Sequence, residues 1–215
     1  MSDTTAAGSD HPGGLPHREL SDPRALRAVA HPVRLALLEQ LFLHGPSTAT
    51  ELAEQLNDQS PANCSWHLRQ LARYGFIEEA GSGPGRQRRW RAVIESTSVG
   101  SASTPELTRA ADAFDDVLIE RALAVRKAWK ESRRAEPTRW QDAAFSGQSW
   151  AWLTADETAA LRDELAAVVE RRVAAVLDRF DAANRPPGAR PVQLVAWLVP
   201  AGQETPDDDT DQEVT

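Results

Sequence analysis

The sequence has one cysteine, Cys64, in 215 residues. That excludes an internal disulfide framework and fits a reducing cytoplasm. No apolar run approaches the roughly 20 residues that cross a bilayer, so no membrane contact is expected. The first residues lack the apolar core of a signal peptide, which argues against export. There is no phosphate-binding glycine loop, no nucleophile–base pair and no metal-ligand spacing. Neither an enzyme, a cofactor nor a metal site is therefore expected. Asp115-Asp116 and Asp207–Asp209 have no converging histidine or nucleophile and read as solvated acids. Internal repeats are also absent.

What the chain has is acid, unevenly placed. The net charge is −8, which argues against indiscriminate attachment to nucleic acid. Residues 1–95 hold 10 basic and 11 acidic side chains, leaving 14 of the 24 basic and 21 of the 32 acidic ones to residues 96–215. Within 60–93 the sign reverses: Arg69, Arg73, Arg86, Arg88, Arg89 and Arg91 face only Glu78 and Glu79. A local basic patch on an acidic chain is the electrostatic pattern of a restricted DNA-reading face.

The centre of that patch is Ser60–Gly75. Ser60 is a good helix N-cap and Pro61 suits the first helical position. Gly75 can close the helix in a left-handed conformation. Cys64, Leu68 and Leu71 make an apolar stripe, while Ala62, Asn63, Ser65, Trp66 and Arg69 form an acid-free outer side. Such a face suits the major groove.

The flanking sequence supplies a setting for this helix. Residues 1–19 have almost no large apolar groups and are expected to be a disordered tail, its His11 and His17 solvated. Asp22-Pro23 opens a short helix that His31-Pro32 ends. A second helix runs from about Val33 to His44 and stops at Gly45-Pro46. Thr48 and Glu51 form a capping box for a third. After Gly75 the period becomes that of strands: Phe76–Ala80, a glycine-rich loop, then Arg86–Val93, a hairpin with an arginine-rich arm. Trp90 and Val93 are expected to pack inward.

Residues 95–104 read as a linker. From about Pro105 to Arg134, Leu107, Ala111, Phe114, Leu118, Ala122, Val125 and Trp129 form one long apolar seam. A seam of that length needs a partner, and a second copy is the simplest. Ser149–Leu153 reads as a strand and Thr154–Ala182 as a helix with its own capping box. Asn184–Pro191 is a loop, and Val192–Val199 reads as a buried strand. Residues 201–215 read as an acidic disordered tail. The fold class is thus α+β and mainly helical. A winged helix-turn-helix DNA-binding domain occupies 20–94. A helical dimerisation or effector domain with one or two short strands occupies 105–200.

The order of elements at 22–93 resembles the ArsR family of bacterial winged-helix repressors. Arg27–Leu38 is similar to that family's L-x-x-P-x-R-x-x-I-L opening, and Glu51-Leu52-Ala53 to the start of its first helix-turn-helix helix. Asn63–Leu71 is similar to its V-S-x-H-L-x-x-L recognition helix, and Gly85–Arg91 to the wing of an actinobacterial-type branch. The resemblance implies a cytoplasmic, nucleoid-associated homodimer. Such a dimer binds a palindromic operator on double-stranded DNA, represses transcription and is released by a small-molecule or protein effector. The family's metal sensors carry paired cysteines on the helix before the recognition helix. Here that helix is Glu51–Leu56 and has none. The alternative function is a protein-interaction module that uses the winged helix as a scaffold.

Candidate DNA-contacting residues are Ser60, Ala62, Asn63, Ser65, Trp66, His67 and Arg69 on the helix and Arg86, Arg88, Arg89 and Arg91 on the wing. Trp66 either meets the groove or packs on the wing. His67 either meets a phosphate or is a partly buried structural residue. Cys64 lies on the apolar stripe and reads as core rather than as a sensor. Trp129, Phe145, Trp150, Trp152 and Trp197 either line an effector pocket or fill a core or dimer seam, the latter being the commoner use of such residues.

Overall fold

The computed structural model describes residues 16–82, 87–99 and 104–203. Arg86, His11, most of both predicted tails and part of the predicted linker lie outside the described residues. The fold is α+β and mainly helical, a winged helix-turn-helix followed by helical segments.

Local signals set most of the elements. Asp22 caps α1 (Pro23–Val29) by accepting from the Arg24 amide at 2.8 Å. Helix α2 (Pro32–His44) starts at His31, whose Nδ1 accepts from the Val33 amide at 3.2 Å. A two-residue strand β2 (Ser47–Thr48) leads into α3 (Ala49–Leu56), where Thr48 and Glu51 form the capping box. Asn57 turns the chain in the left-handed region at φ 59°. Ser60 then caps α4 (Pro61–Arg73), its Oγ accepting from the Asn63 amide at 3.2 Å. Gly75, at φ 73°, ends α4 in a Schellman motif: Phe76 N–H bonds Leu71 O and Gly75 N–H bonds Ala72 O.

The wing is three-stranded rather than a simple hairpin. Strand β4 (Arg88–Ala92) lies between β3 (Ile77–Ser82) and β2, antiparallel to both. Its register pairs Glu78 with Arg91 and Glu79 with Trp90, then shifts before Ser82 pairs with Arg88. Gly81, at φ 91°, sits in that irregularity, where a side chain would be strained. Trp90 is buried, as expected of an inward-facing residue, and Val93 is half-buried.

Two strands appear where a tail and a linker were expected. β1 (His17–Leu20) pairs in parallel with β5 (Ser96–Val99), so the stretch read as linker is hydrogen-bonded back to the start of the described chain. His17, expected to be solvated, approaches Ser98 Oγ at 3.1 Å. Helix α5 (Pro105–Ser132) follows. Its first turns enter the same core as the winged helix: Leu107 and Ala110 are buried with Leu26, Leu37, Leu52 and Leu68. Arg27–Glu106 at 2.7 Å and the two-bonded pair Arg121–Glu39 fasten α5 to α1 and α2. The predicted seam is therefore used in two ways. Ala111 and Phe114 of the seam, with Val117 beside them, pack on the core of their own chain. Leu118 and Val125, further along, are exposed, as is Leu123 off the seam.

Beyond α5 come a short 3₁₀ turn (Arg133–Ala135), α6 (Thr138–Ala143) and α7 (Ala155–Ala174). Helix α7 ends eight residues earlier than expected and gives way to 3₁₀ turns at Leu177–Phe180 and Ala182–Asn184. Phe180 packs edge-on to Phe42 of α2 with ring centroids 6.1 Å apart. Residues 149–153 and 192–199, expected as strands, form no regular secondary structure and join no sheet, and 192–199 is exposed rather than buried. Their apolar density has no strand partner among the described residues.

Candidate nucleic-acid interface

Helix α4 has two sharply different sides. Cys64, Leu68 and Leu71 are fully buried in the core, and this anchors the helix along its length. Burial raises the Cys64 thiol pKa, so the thiolate needed for redox or metal chemistry is disfavoured. On the other side Ala62, Trp66, Arg69 and Arg73 step four, three and four residues apart and are all exposed, with Asn63 and Ser60 beside them and Ser65 half-buried. This side carries no acid. Arg69 donates to Ser65 Oγ at 3.0 Å, and Asn63 Nδ2 to Gln59 Oε1, so the polar groups are pre-arranged without an ion pair. Arg73 was not among the candidates, although its place four residues after Arg69 continues the stripe.

His67 is the correction on this helix. It is 5% exposed, so its ring cannot meet a phosphate on the outer face. The ring lies 4.8 Å from that of His31 and 4.8 Å from the indole of Trp66. Its Nδ1 is buried and has no hydrogen-bond partner among the described residues. Trp66, at 48% exposure, is edge-on to His67 rather than packed on the wing, and so stays available on the outer face.

Because His31 Nδ1 accepts the Val33 amide, its proton sits on Nε2. Burial is the main cause lowering the pKa of both imidazoles below the ordinary 6.5. Arg34 lowers His31 further, and His31 and then Arg34 lower His67. The unfolded chain therefore takes up protons at a higher pH than the folded one. The pair's contribution to stability is full above pH 6.5 and is lost as pH drops through that value toward the depressed folded pKa values. Thermal melts at about pH 7.5 and about pH 5 should show a lower midpoint in acid, by about 2–4 °C per kcal/mol lost. H31N, which keeps a capping oxygen, together with H67Q should reduce the difference. A difference the double variant leaves untouched would clear the pair of this role.

The wing arginines are less free than their sequence suggests. Strand alternation puts Arg88 on the Trp90 face, where it lies 5.7 Å from the indole centroid, and Arg89 and Arg91 on the opposite face. Arg88 pairs with Glu79 at 3.0 Å and Arg91 with Glu78 at 2.8 Å. The acids come from the neighbouring strand, so an arm free of acid in sequence is not so in space. Both pairs are exposed and are worth only about 0–1 kcal/mol, little enough for a phosphate to displace the carboxylate. Arg89 reaches back to Pro46 O and ties the wing to the start of the α3 region.

A residue placed in the tail also bears on the site. Arg18 Nη1 donates to Tyr74 O at 2.9 Å, at the C-terminus of α4, and its guanidinium lies 4.4 Å from the centroid of the Phe76 ring. No local pattern marks Arg18, because its partners lie more than fifty residues away. Of the aromatic set read as a core, a dimer seam or a pocket, Phe145 is 91% and Trp152 89% exposed, Trp150 and Trp197 are exposed too, and Trp129 is half-buried, so within the chain the set forms neither a core nor a pocket lining. Among the described residues no group of three His, Cys, Asp or Glu is placed to hold a metal ion, and no helix is long and apolar enough to cross a membrane.

Residues 29–80 match the sequence profile of a family described as a helix-turn-helix domain. The match runs from the end of α1 through α4 into β3, so it covers the two helices of the motif and the start of the wing. No characterised protein matches the chain. The profile and the fold together mark a helix-turn-helix DNA-binding regulator of transcription.

Proposed function

We propose that the protein is a homodimeric repressor of the ArsR type that binds a near-palindromic operator. The observation carrying this reading is the acid-free outer side of α4, backed by a fully buried inner side. Ser60, Ala62, Asn63, Ser65, Trp66 and Arg69, with Arg73 added, face the bases and backbone of a major groove. Arg88, Arg89 and Arg91 hold the flanking backbone, Arg88 and Arg91 exchanging Glu79 and Glu78 for phosphate. Residues 20–94 are the DNA-binding unit and 105–200 the dimerisation and effector unit, in a cytoplasmic, nucleoid-associated protein. A second copy is supported by the exposed apolar groups of the distal part of α5 and of residues 145–199. Two recognition helices then enter successive major grooves about 34–36 Å apart, and occupancy of the operator blocks transcription.

The test is a duplex selected from a random library and titrated at several salt concentrations. R88A with R89A should lower the slope of log affinity against log salt by about 2, near 0.9 for each lost phosphate contact. An unchanged slope would remove the wing from the interface. Failure to select any duplex would remove DNA reading itself.

A further inference from the structure

A cavity of about 380 Å³ opens between the inner face of α5 and the winged core. That is within the usual range for small-molecule sites. Val29, Leu35 and Leu38 give it an aliphatic wall, and Phe42, Phe76 and Phe114 contribute three aromatic rings. Its ionisable lining is wholly acidic, namely Glu95 and Asp115.

Glu95 is the unusual member. Its side chain is largely buried, and its pKa is raised mainly by that burial, against the opposing pull of Arg18 and then His17. Arg18 Nη2 forms an ion pair with Glu95 Oε1 at 2.7 Å, off the hydrogen-bond axis, while Nη1 of the same guanidinium donates to Tyr74 O and the group stacks on Phe76. Among the described residues Glu95 accepts no aligned hydrogen bond. With one guanidinium beside Oε1 and no aligned donor, the carboxylate keeps lone pairs that a further cation can meet and that repel an anion. Aromatic rings around a desolvated ammonium favour the same charge.

We propose that this cavity binds a lipophilic organic cation, with its ammonium head against Glu95 and its hydrocarbon body among the phenylalanine and aliphatic walls. The occupant is thus a small amine or quaternary ammonium with an aryl or alkyl body. Asp115, exposed at the solvent side, draws the cation toward the opening. The inference goes beyond the DNA-binding reading and stands on binding to the free protein alone.

The test is calorimetric titration of the full chain, without DNA, using phenylbutyltrimethylammonium, phenylbutanol and phenylbutanoate. The cation should bind one site per chain at least about tenfold more tightly than the alcohol, and the carboxylate should not bind. E95Q should bring the cation down to the alcohol's affinity. A111F and, separately, T97M should fill the cavity and remove binding, each variant being checked for folding by its melting curve. The proposal is overturned if cation and alcohol bind alike. It is equally overturned if nothing binds, if E95Q leaves the cation's affinity unchanged, or if a folded cavity-filling variant still binds. None of these outcomes depends on whether an operator has been found.

Discussion

L68A is expected to cost about 2–5 kcal/mol, a large part of the roughly 5–15 kcal/mol that holds a domain folded. Leu68 is fully buried among the residues that unite α1, α2, α3, α4 and the first turns of α5. Truncation leaves a cavity that several elements would have to close together, and each is held elsewhere by its caps or by the sheet. A urea titration should show the midpoint lowered by about 1–3 M at an unchanged slope. S65A, on the same helix but facing outward, should leave the midpoint within about 0.5 kcal/mol of the parent. If L68A melts like the parent, the inner side of α4 is not the anchor described here.

The second large effect concerns binding rather than stability. R69E should weaken binding to a selected duplex by at least about a hundredfold, close to 2.7 kcal/mol. A lost arginine contact to a base edge accounts for about 1–3 kcal/mol, and the new carboxylate then faces phosphate. Arg69 is exposed and, among the described residues, its side chain bonds only Ser65 Oγ, so the fold should be indifferent to the change. Circular dichroism and the melting midpoint serve as the control. A folded R69E protein that binds as the parent does would take the outer side of α4 out of the groove.

The parts of this molecule that were legible from sequence are those whose causes are local. Ser60 with Pro61, Thr48 with Glu51, and Asp22 with Pro23 each act within one turn, and each cap is found where those residues predict it. The burial of Cys64, Leu68 and Leu71 follows from helical spacing in the same way. That spacing also held the answer for His67, three residues after Cys64 and four before Leu71. Its polarity kept a phosphate contact open beside the structural reading, and its position decides for the latter. What could not be read depends on register or distance. Strand β1 finds β5 across the whole winged domain, and β2 is two residues long. The pairing of Arg88 and Arg91 with Glu79 and Glu78 needs the register of β3 on β4, including its shift. For Val192–Val199 the apolar run expressed a need for cover and was read as cover within the chain. The structure leaves that stretch exposed.

The anchoring of α5 has a mechanical consequence. Its first turns share an interior with the helix that reads DNA, and the pairs Arg27–Glu106 and Arg121–Glu39 brace it on two sides. Reading head and the base of the stalk are one packed interior. In a two-copy assembly the protein, not the duplex, would then dictate the interval between half-sites, in the way a calliper locked at one setting accepts one thickness and refuses its neighbours.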